Sequence, residues 1–137
     1  MADTAQSLTF YRDRLGLGVA GTSENYGPEQ EHLSNVPGAR LHITALRVRR
    51  RPGVERLEYV APGATRPFPS DVRANDLLHA QIRVFAESVK NLFDQLAKSC
   101  TRLISASVVT FGQAFLGFSK AGLVRAPDGH AVQVVER

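Results

Sequence analysis

The chain has 137 residues, of which 43% are hydrophobic and 22% charged; this is the composition of a globular domain and excludes a disordered or collagen-like chain. Lysine and arginine number 17 against 13 acidic residues, so the net charge of +4 favours an anionic ligand. No apolar run reaches the roughly 18 residues of a membrane span, and the first residues lack a secretory signal. Cys100 is the single cysteine, so we expect a cytoplasmic protein without disulfides and without a membrane partner.

The first half of the chain is predicted to contain one helix followed by strands. Leu8, Tyr11 and Leu15 form an apolar stripe with the spacing i, i+3, i+7, which predicts a helix over residues 7–15. Gly16 is expected to end that helix as its C-terminal cap. Residues 23–36 are polar and rich in turn formers, and they are predicted to be a long loop. Strands are predicted over 17–21, 40–48 and 54–60.

The second half repeats this pattern after a proline-rich segment. Residues 61–76 hold three of the seven prolines and are predicted to link module one, 1–60, to module two, 77–137, within a single domain. The spacing of the apolar residues predicts a helix over 88–98. The sequence Pro127-Asp128-Gly129 is typical of a turn. Strands are predicted over 77–84, 103–111, 115–125 and 131–135.

The two halves align as an internal repeat. Residues 7–15 match residues 88–96 in their apolar stripe, and residues 54–58 match residues 132–136. Each half is predicted to run helix, strand, strand, strand, and the second half begins with one additional strand. The equivalent strand of the first half would lie mostly before Met1, so we interpret module one as lacking its opening strand. A plain α+β domain with two similar hairpins is the alternative.

Three residues form the candidate site. Glu55 and Gln133 occupy equivalent positions on equivalent strands, and His79 lies on the predicted opening strand of module two, where it shares one parity with Gln81 and Arg83. Two modules related by a pseudo-twofold axis would bring these strands face to face, so that an imidazole and two oxygen donors could hold a metal ion. An ordinary solvent-facing side of a sheet is the alternative explanation of the same polar pattern.

Two other groups of residues have simpler explanations. The pattern G-x-G-x-x-G over residues 16–21 follows a helix and enters a strand, which is the wrong context for a dinucleotide site. A basic cluster at a predicted hairpin tip could contact a phosphate or carboxylate, but it lacks interleaved aromatic residues, so we expect a solvated turn and no nucleic-acid partner. This cluster consists of Arg47, Arg49, Arg50 and Arg51.

The remaining titratable side chains are expected to be structural. Glu58 and Glu136 lie at the parity opposite to Glu55 and Gln133, so we expect outward-facing carboxylates; either could act on a substrate if the parity were reversed. Cys100 has no adjacent base in the sequence and is interpreted as a structural residue. Three histidines show no partner pattern: His32, His42 and His130.

Four segments resemble the vicinal oxygen chelate superfamily, also called the glyoxalase/bleomycin resistance protein/dioxygenase superfamily. They cover nearly the whole chain, and the first and last of them are fairly specific for the superfamily, although not for one activity. Residues 7–17 read SLTFYRDRLGL, residues 52–59 read PGVERLEY, residues 78–79 read LH, and residues 125–133 read RAPDGHAVQ.

This resemblance implies an α+β fold in which two βαβββ modules, the first without its opening strand, form a half-open mixed barrel around a divalent metal ion (Fe, Mn, Ni or Zn). By position, His79, Glu55 and Gln133 would be the metal ligands, and Glu55 would also act as the catalytic carboxylate. Gln133 departs from the usual carboxylate and would weaken metal binding, and Ala126 departs from the usual aspartate.

The implied function is a glyoxalase-like or dioxygenase-like enzyme, which would polarise neighbouring oxygens of a small oxygen-rich substrate. Lyase, isomerase and dioxygenase chemistry all remain open. The alternative is a metal-free, ligand-binding homodimer of the bleomycin-resistance type. In both cases we expect a small-molecule ligand and a homodimer.

Overall fold

The computed structural model describes residues 4–48, 53–63, 66, 68–112 and 116–137. The chain divides into two compact units, Met1–Pro67 and Phe68–Arg137. Within the described residues each unit contains one β-sheet, of three strands in the first unit and four in the second. Residues 49–51 of the basic cluster lie outside the described part of the chain.

The first unit begins with a helix, as predicted, but its form differs from the regular helix expected over residues 7–15. Helix α1, Thr4–Leu8, continues as a π-helical segment, Thr9–Arg14, which buries Phe10 and Tyr11. Gly16 follows with φ +75°, a left-handed conformation that glycine adopts without a Cβ penalty, so the predicted C-terminal cap is confirmed.

The first sheet is antiparallel, with the order β1-β2-β3. The strand predictions over 40–48 and 54–60 are confirmed by β2 and β3. The prediction of a short strand followed by a loop over 23–36 is wrong, because β1 extends to Tyr26 and helix α2 follows it. The elements are β1, Gly18–Tyr26; α2, Pro28–Ser34; β2, Arg40–Arg47; and β3, Val54–Ala61.

The polar composition of helix α2 explains why the sequence did not predict it. Proline at its first position has the φ that a helix requires, and acidic residues in the first turn, Glu29 and Glu31, favour the helix dipole. Asn35 ends the helix in the left-handed conformation. Only Gln30 of the helix is buried, so no apolar stripe marks this surface helix in the sequence.

The two faces of the first sheet carry different residues. Arg56 and Glu58 point towards α1, because Arg56 donates to the backbone oxygen of Thr4 and Glu58 accepts from the Thr4 hydroxyl. Glu55 lies on the opposite face, where it is paired with Ala45 of β2. The helix therefore covers one side of the sheet, and Glu55 belongs to the other side.

The second unit repeats this architecture with one more strand. Its sheet has the order β4-β7-β6-β5, in which β4 runs parallel to β7 and the other pairs are antiparallel. The helix predicted over 88–98 is confirmed as α3, and the Ser88 hydroxyl caps it by accepting from the backbone N–H of Asn91. The elements are β4, Gln81–Phe85; α3, Val89–Lys98; β5, Val109–Thr110; β6, Lys120–Arg125; and β7, Ala131–Glu136.

The opening strand of the second unit is shorter than the predicted 77–84. Strand β4 begins at Gln81, and a turn precedes it, in which the backbone N–H of His79 donates to the oxygen of Asp76 at 2.9 Å. The apolar side chains that suggested a strand, Leu77 and Leu78, are exposed. The prediction that His79 lies on this strand is therefore wrong.

The strands predicted over 103–111 and 115–125 are also too long. Leu103 makes an isolated bridge to Val124, and the Ser105 hydroxyl accepts from the backbone N–H of Leu123 at 3.0 Å. In the segment over 103–111, regular ladder pairing with β6 is confined to β5, Val109–Thr110. Strand β6 begins at Lys120, and residues 113–115 lie outside the described part of the chain. The strand over 131–135 is confirmed as β7.

Helix α3 covers one face of the second sheet. A Cβ atom added at Gly122 would lie 2.6 Å from the ring of Phe93, so the helix approaches β6 at a position that only glycine fits. Gly122 pairs with Val134, and Val132 on the same face of β7 is fully buried. The opposite face of this sheet is not covered by α3, and it carries the polar residues of β4 and β7.

Candidate functional site

The face of the second sheet away from α3 presents Arg83 beside Gln133, next to a buried cluster of Phe118, Ala121 and Val135. The two residues are register partners on the parallel strands β4 and β7, and Arg83 Nε donates to Gln133 Oε1 at 2.7 Å. Arg83 is exposed and Gln133 is half-buried. A hydrogen bond from a guanidinium to a neutral amide orients the arginine without cancelling its charge.

An aromatic ring supports the same guanidinium. Arg83 Cζ lies 4.9 Å from the ring centroid of Phe118, which is 2% exposed and makes an edge-to-face contact with Phe111. This distance is within the range of cation–π attraction. The ion pairs between described residues do not include Arg83. The guanidinium is thus held in place by an amide and a ring while it keeps its positive charge.

A second arginine lies against the same strand. Arg137 Cζ is 4.9 Å from the ring centroid of Phe85, and Phe85 is 47% exposed. Phe85 and Arg83 are two positions apart on β4 and therefore share one face. The β4 side of this face combines a fixed positive charge with an exposed apolar ring, and we call Gln81, Arg83, Phe85 and Gln133 the open-face cluster.

His79 is near this cluster but is not on the strand. Its half-buried imidazole lies in the segment before β4, with Nε2 3.4 Å from Gln81 Oε1. Gln81 is exposed and shares the face of Arg83, as the parity of the sequence predicted. The structure therefore brings His79 to Gln81 and Gln133 to Arg83.

Glu55 belongs to the first unit. It is exposed on β3, on the face opposite α1. The ion pairs of the described residues do not include Glu55. The three residues singled out in the sequence are thus divided between the units, with Glu55 in the first and His79 and Gln133 in the second.

The donor set of the second unit does not fit a divalent metal ion. Gln133 Oε1, the oxygen that would coordinate the ion, accepts a hydrogen bond from a guanidinium, and that positive charge would repel a cation held at the same oxygen. Within the described ranges no three His, Cys, Asp or Glu side chains are grouped so that they could hold a metal ion. Sequence reasoning missed Arg83 because its shared parity with Gln81 did not indicate its neighbour on β7.

The two repeated carboxylates lie on the faces opposite to Glu55 and Gln133, as predicted, but each contacts a helix instead of facing solvent. Glu136 accepts from the backbone N–H of Val89 at 2.9 Å and from Lys120 Nζ at 2.6 Å, and Glu58 accepts from the Thr4 hydroxyl. The Lys120 ammonium, and then the Val89 N–H, lower the pKa of Glu136 below its ordinary value. Both carboxylates bind the beginning of a helix, and this contact explains their repetition.

Cys100 and His42 lie at the surface or across strands. Cys100 is exposed, with φ +57°, immediately after the C-terminal cap of α3. His42, for which no partner was predicted, contacts the Glu24 carboxylate across β1 and β2. The glycines of the G-x-G-x-x-G pattern lie after a helix and in β1, which is the context that the sequence predicted.

A groove of about 490 Å³ lies in the first unit, between β1 and α2. Its carboxylates would favour a cation, but Glu24 already contacts His42. The groove is lined by Glu24, Asn25, Tyr26, Glu29, Gln30 and Leu33.

Among the described residues, no helix has the length and apolar character to cross a membrane.

The comparisons with known proteins identify the fold. No protein-family model matches the chain, and no curated protein matches it. A glyoxalase family protein from Bacillus cereus has a TM-score of 0.82 at 13% identity, over 99% of this chain and 87% of that one. The trypanothione-dependent glyoxalase I of Leishmania major has a TM-score of 0.61 at 17% identity, over 99% and 80%.

A third structure extends this likeness. A member of the glyoxalase/bleomycin resistance protein/dioxygenase superfamily from Sphaerobacter thermophilus has a TM-score of 0.51 at 14% identity, over 100% of this chain and 90% of that one. The chain thus has the α+β fold of this superfamily, and the resemblance found in the sequence is confirmed at the level of the fold. At these identities the likeness concerns the fold alone.

Proposed function

We propose that this protein binds a small molecule at β4, on the face of its second sheet away from α3, without a metal ion. The observation that carries the proposal is the hydrogen bond from Arg83 to Gln133, which occupies the amide oxygen with a guanidinium. A fixed arginine can bind the electronegative atoms of a ligand directly, which is the task that a metal ion performs in a chelate site. The net charge of +4 favours a ligand of negative charge.

The metal-dependent enzyme is the second candidate function. In that case His79, Glu55 and Gln133 would be the ligands and Glu55 the catalytic carboxylate of a lyase, isomerase or dioxygenase. The exposed Glu55 carboxylate, outside the ion pairs of the described residues, favours this candidate because it is available as an oxygen donor. A glyoxalase I is among the proteins of similar fold.

Metal analysis separates the two functions. The purified protein is dialysed against Zn²⁺, Mn²⁺, Ni²⁺ or Fe²⁺ (the last under anaerobic conditions), and bound metal is measured by mass spectrometry for the native chain, His79→Ala and the control His32→Ala. His32 is an exposed residue of α2 in the first unit. We expect much less than one metal ion per chain in all three proteins.

One bound ion per chain that His79→Ala loses and His32→Ala keeps would establish the metal site and refute the metal-free proposal. Equal and low metal content in the three proteins would refute the metal-dependent candidate.

We further propose a cytoplasmic location and a homodimer. The exposed thiol of Cys100 supports a reducing compartment, since an exposed free cysteine is open to oxidation outside it. The dimer is supported by β3, which is an edge strand of the first sheet.

A further inference from the structure

We infer that the open-face cluster selects a monocarboxylate with an apolar chain, and that Arg83 is the residue that binds the carboxylate. This inference rests on the metal-free binding function proposed above and assigns its ligand class. It is built from the donors that Arg83 has left, from its charge, and from the neighbouring ring.

Arg83 has hydrogen-bond donors left for a ligand. Nε is used by Gln133 Oε1, so the two terminal nitrogens, Nη1 and Nη2, remain for a ligand. These nitrogens present parallel N–H groups whose spacing matches the two oxygens of a carboxylate. The bond to Gln133 therefore fixes the direction from which a carboxylate approaches, which is end-on to the guanidinium.

The charge of Arg83 also favours an anionic ligand. The ion pairs of the described residues leave out both Arg83 and Arg137, the two arginines that lie over aromatic rings on this unit. The glutamine at position 133 is neutral, so the bond that orients Arg83 does not compensate it. An anion is the partner that this arrangement lacks, and binding one requires no existing ion pair to break.

The exposed ring of Phe85 favours an apolar chain on the same ligand. Phe85 lies two positions from Arg83 on the same face of β4 and is 47% exposed even with Arg137 against its ring. Alternate residues of a strand lie about 6.6 Å apart, which is on the order of the length of a short alkyl chain. A carboxylate held by Arg83 can thus extend its apolar chain over Phe85, where burial of apolar surface adds affinity.

The test uses sodium hexanoate as the probe and isothermal titration calorimetry as the measurement, with and without EDTA. Arg83→Gln removes the charge and the paired donors, and we expect it to weaken hexanoate binding about tenfold or more. Arg83→Lys keeps the positive charge but lacks the paired N–H donors, so its hexanoate affinity should lie between those of the native chain and Arg83→Gln. Lys98→Gln is the matched control, because Lys98 is an exposed residue of α3, the helix on the other face of the sheet.

The outcomes separate the ligand class from the proposed function. Equal hexanoate affinity in the native chain, Arg83→Gln and Arg83→Lys would overturn the inference while leaving metal-free binding intact. Loss of binding in EDTA, restored by Zn²⁺, would refute the metal-free function itself.

Two more probes test the class of ligand. Hexanol should bind much more weakly than hexanoate, and inorganic phosphate should not displace hexanoate at equal concentration. Displacement by phosphate would mean that the site recognises negative charge alone, and it would overturn the assignment of a carboxylate with an apolar chain.

Discussion

At residue 133 the chemistry of the open face depends on the difference between an amide and a carboxylate. A glutamate there would form an ion pair with Arg83, because the two residues are register partners whose side chains already meet at 2.7 Å. The glutamine positions the same guanidinium but leaves its charge for a ligand. The departure from the usual carboxylate, which in the sequence indicated only a weaker metal site, thus defines a different kind of site.

The Glu136 carboxylate makes the free energy of unfolding depend on pH in the acidic range. Its pKa is lowered in the folded chain, chiefly by Lys120, so the folded state resists protonation more than the unfolded state does. The stabilisation is complete above the ordinary pKa of a glutamate, about 4.3, and it is lost as the pH falls through the lower folded value. Glu136→Gln should therefore be less stable than the native chain at neutral pH, and the difference should shrink in acid.

Urea denaturation of both proteins at pH 7 and pH 3.5 measures this effect. A difference in unfolding midpoint that is the same at the two pH values would show that the carboxylate contributes nothing through its ionisation. The other acidic groups are identical in the two proteins, so the comparison isolates residue 136.

Among the elements, α3 covers one face of the second sheet and leaves Arg83 on the other. The helix approaches β6 at Gly122, where an added Cβ would lie 2.6 Å from the Phe93 ring, and it buries the valines of β7 on that face. Close packing of this kind leaves no room for an additional methyl group. The position of one glycine thus helps to assign Arg83 and Gln133 to the opposite face.

Gly122→Ala tests this packing directly. We expect a loss of about 1–3 kcal/mol in the free energy of unfolding, because the ring of Phe93 or the backbone of β6 must move. Gly21→Ala in β1 is the matched control, since nothing lies within 4 Å of a Cβ added there. Thermal and urea denaturation measure both variants. If the two variants lose the same stability, the contact between α3 and β6 is not tight.

For the whole molecule, the repeat leaves the two sheets unequal. In the second unit β7 has neighbours on both sides, β4 and β6, whereas in the described part of the first unit β3 pairs only with β2. An edge strand of eight residues presents unpaired N–H and C=O groups that favour pairing with another chain. Exposed Leu57 and Val60 on the same strand add apolar surface to this edge.

We therefore expect a homodimer in solution, formed through the outer edge of β3. Light scattering should give a mass near twice the 15.0 kDa of one chain, decreasing on dilution. Hydrogen exchange at high and low protein concentration should show concentration-dependent protection in β3 but not in β1, the other edge strand of that sheet. A monomer at every concentration would contradict the dimer, and a dimer without protection of β3 would contradict this interface.

The repeat and its turns could be predicted from the sequence because they depend on local patterns. The apolar stripe of α3 and the glycine after the first helix each act within a few residues. The same local reasoning failed for α2, whose helix is almost entirely on the surface, and for Leu77 and Leu78, whose apolar side chains remain exposed before β4. Composition indicates burial only on average, and tertiary contacts decide each case.

The sequence by itself determined the α+β class, the duplicated order of elements and Gln133 as a position of interest, because periodicity and residue type carry this information. Only the tertiary structure decided that Gln133 binds Arg83, since these residues are separated by 50 positions and meet through the parallel register of β4 and β7. Register between strands distant in sequence depends on the packing of the whole sheet, and no local pattern specifies it.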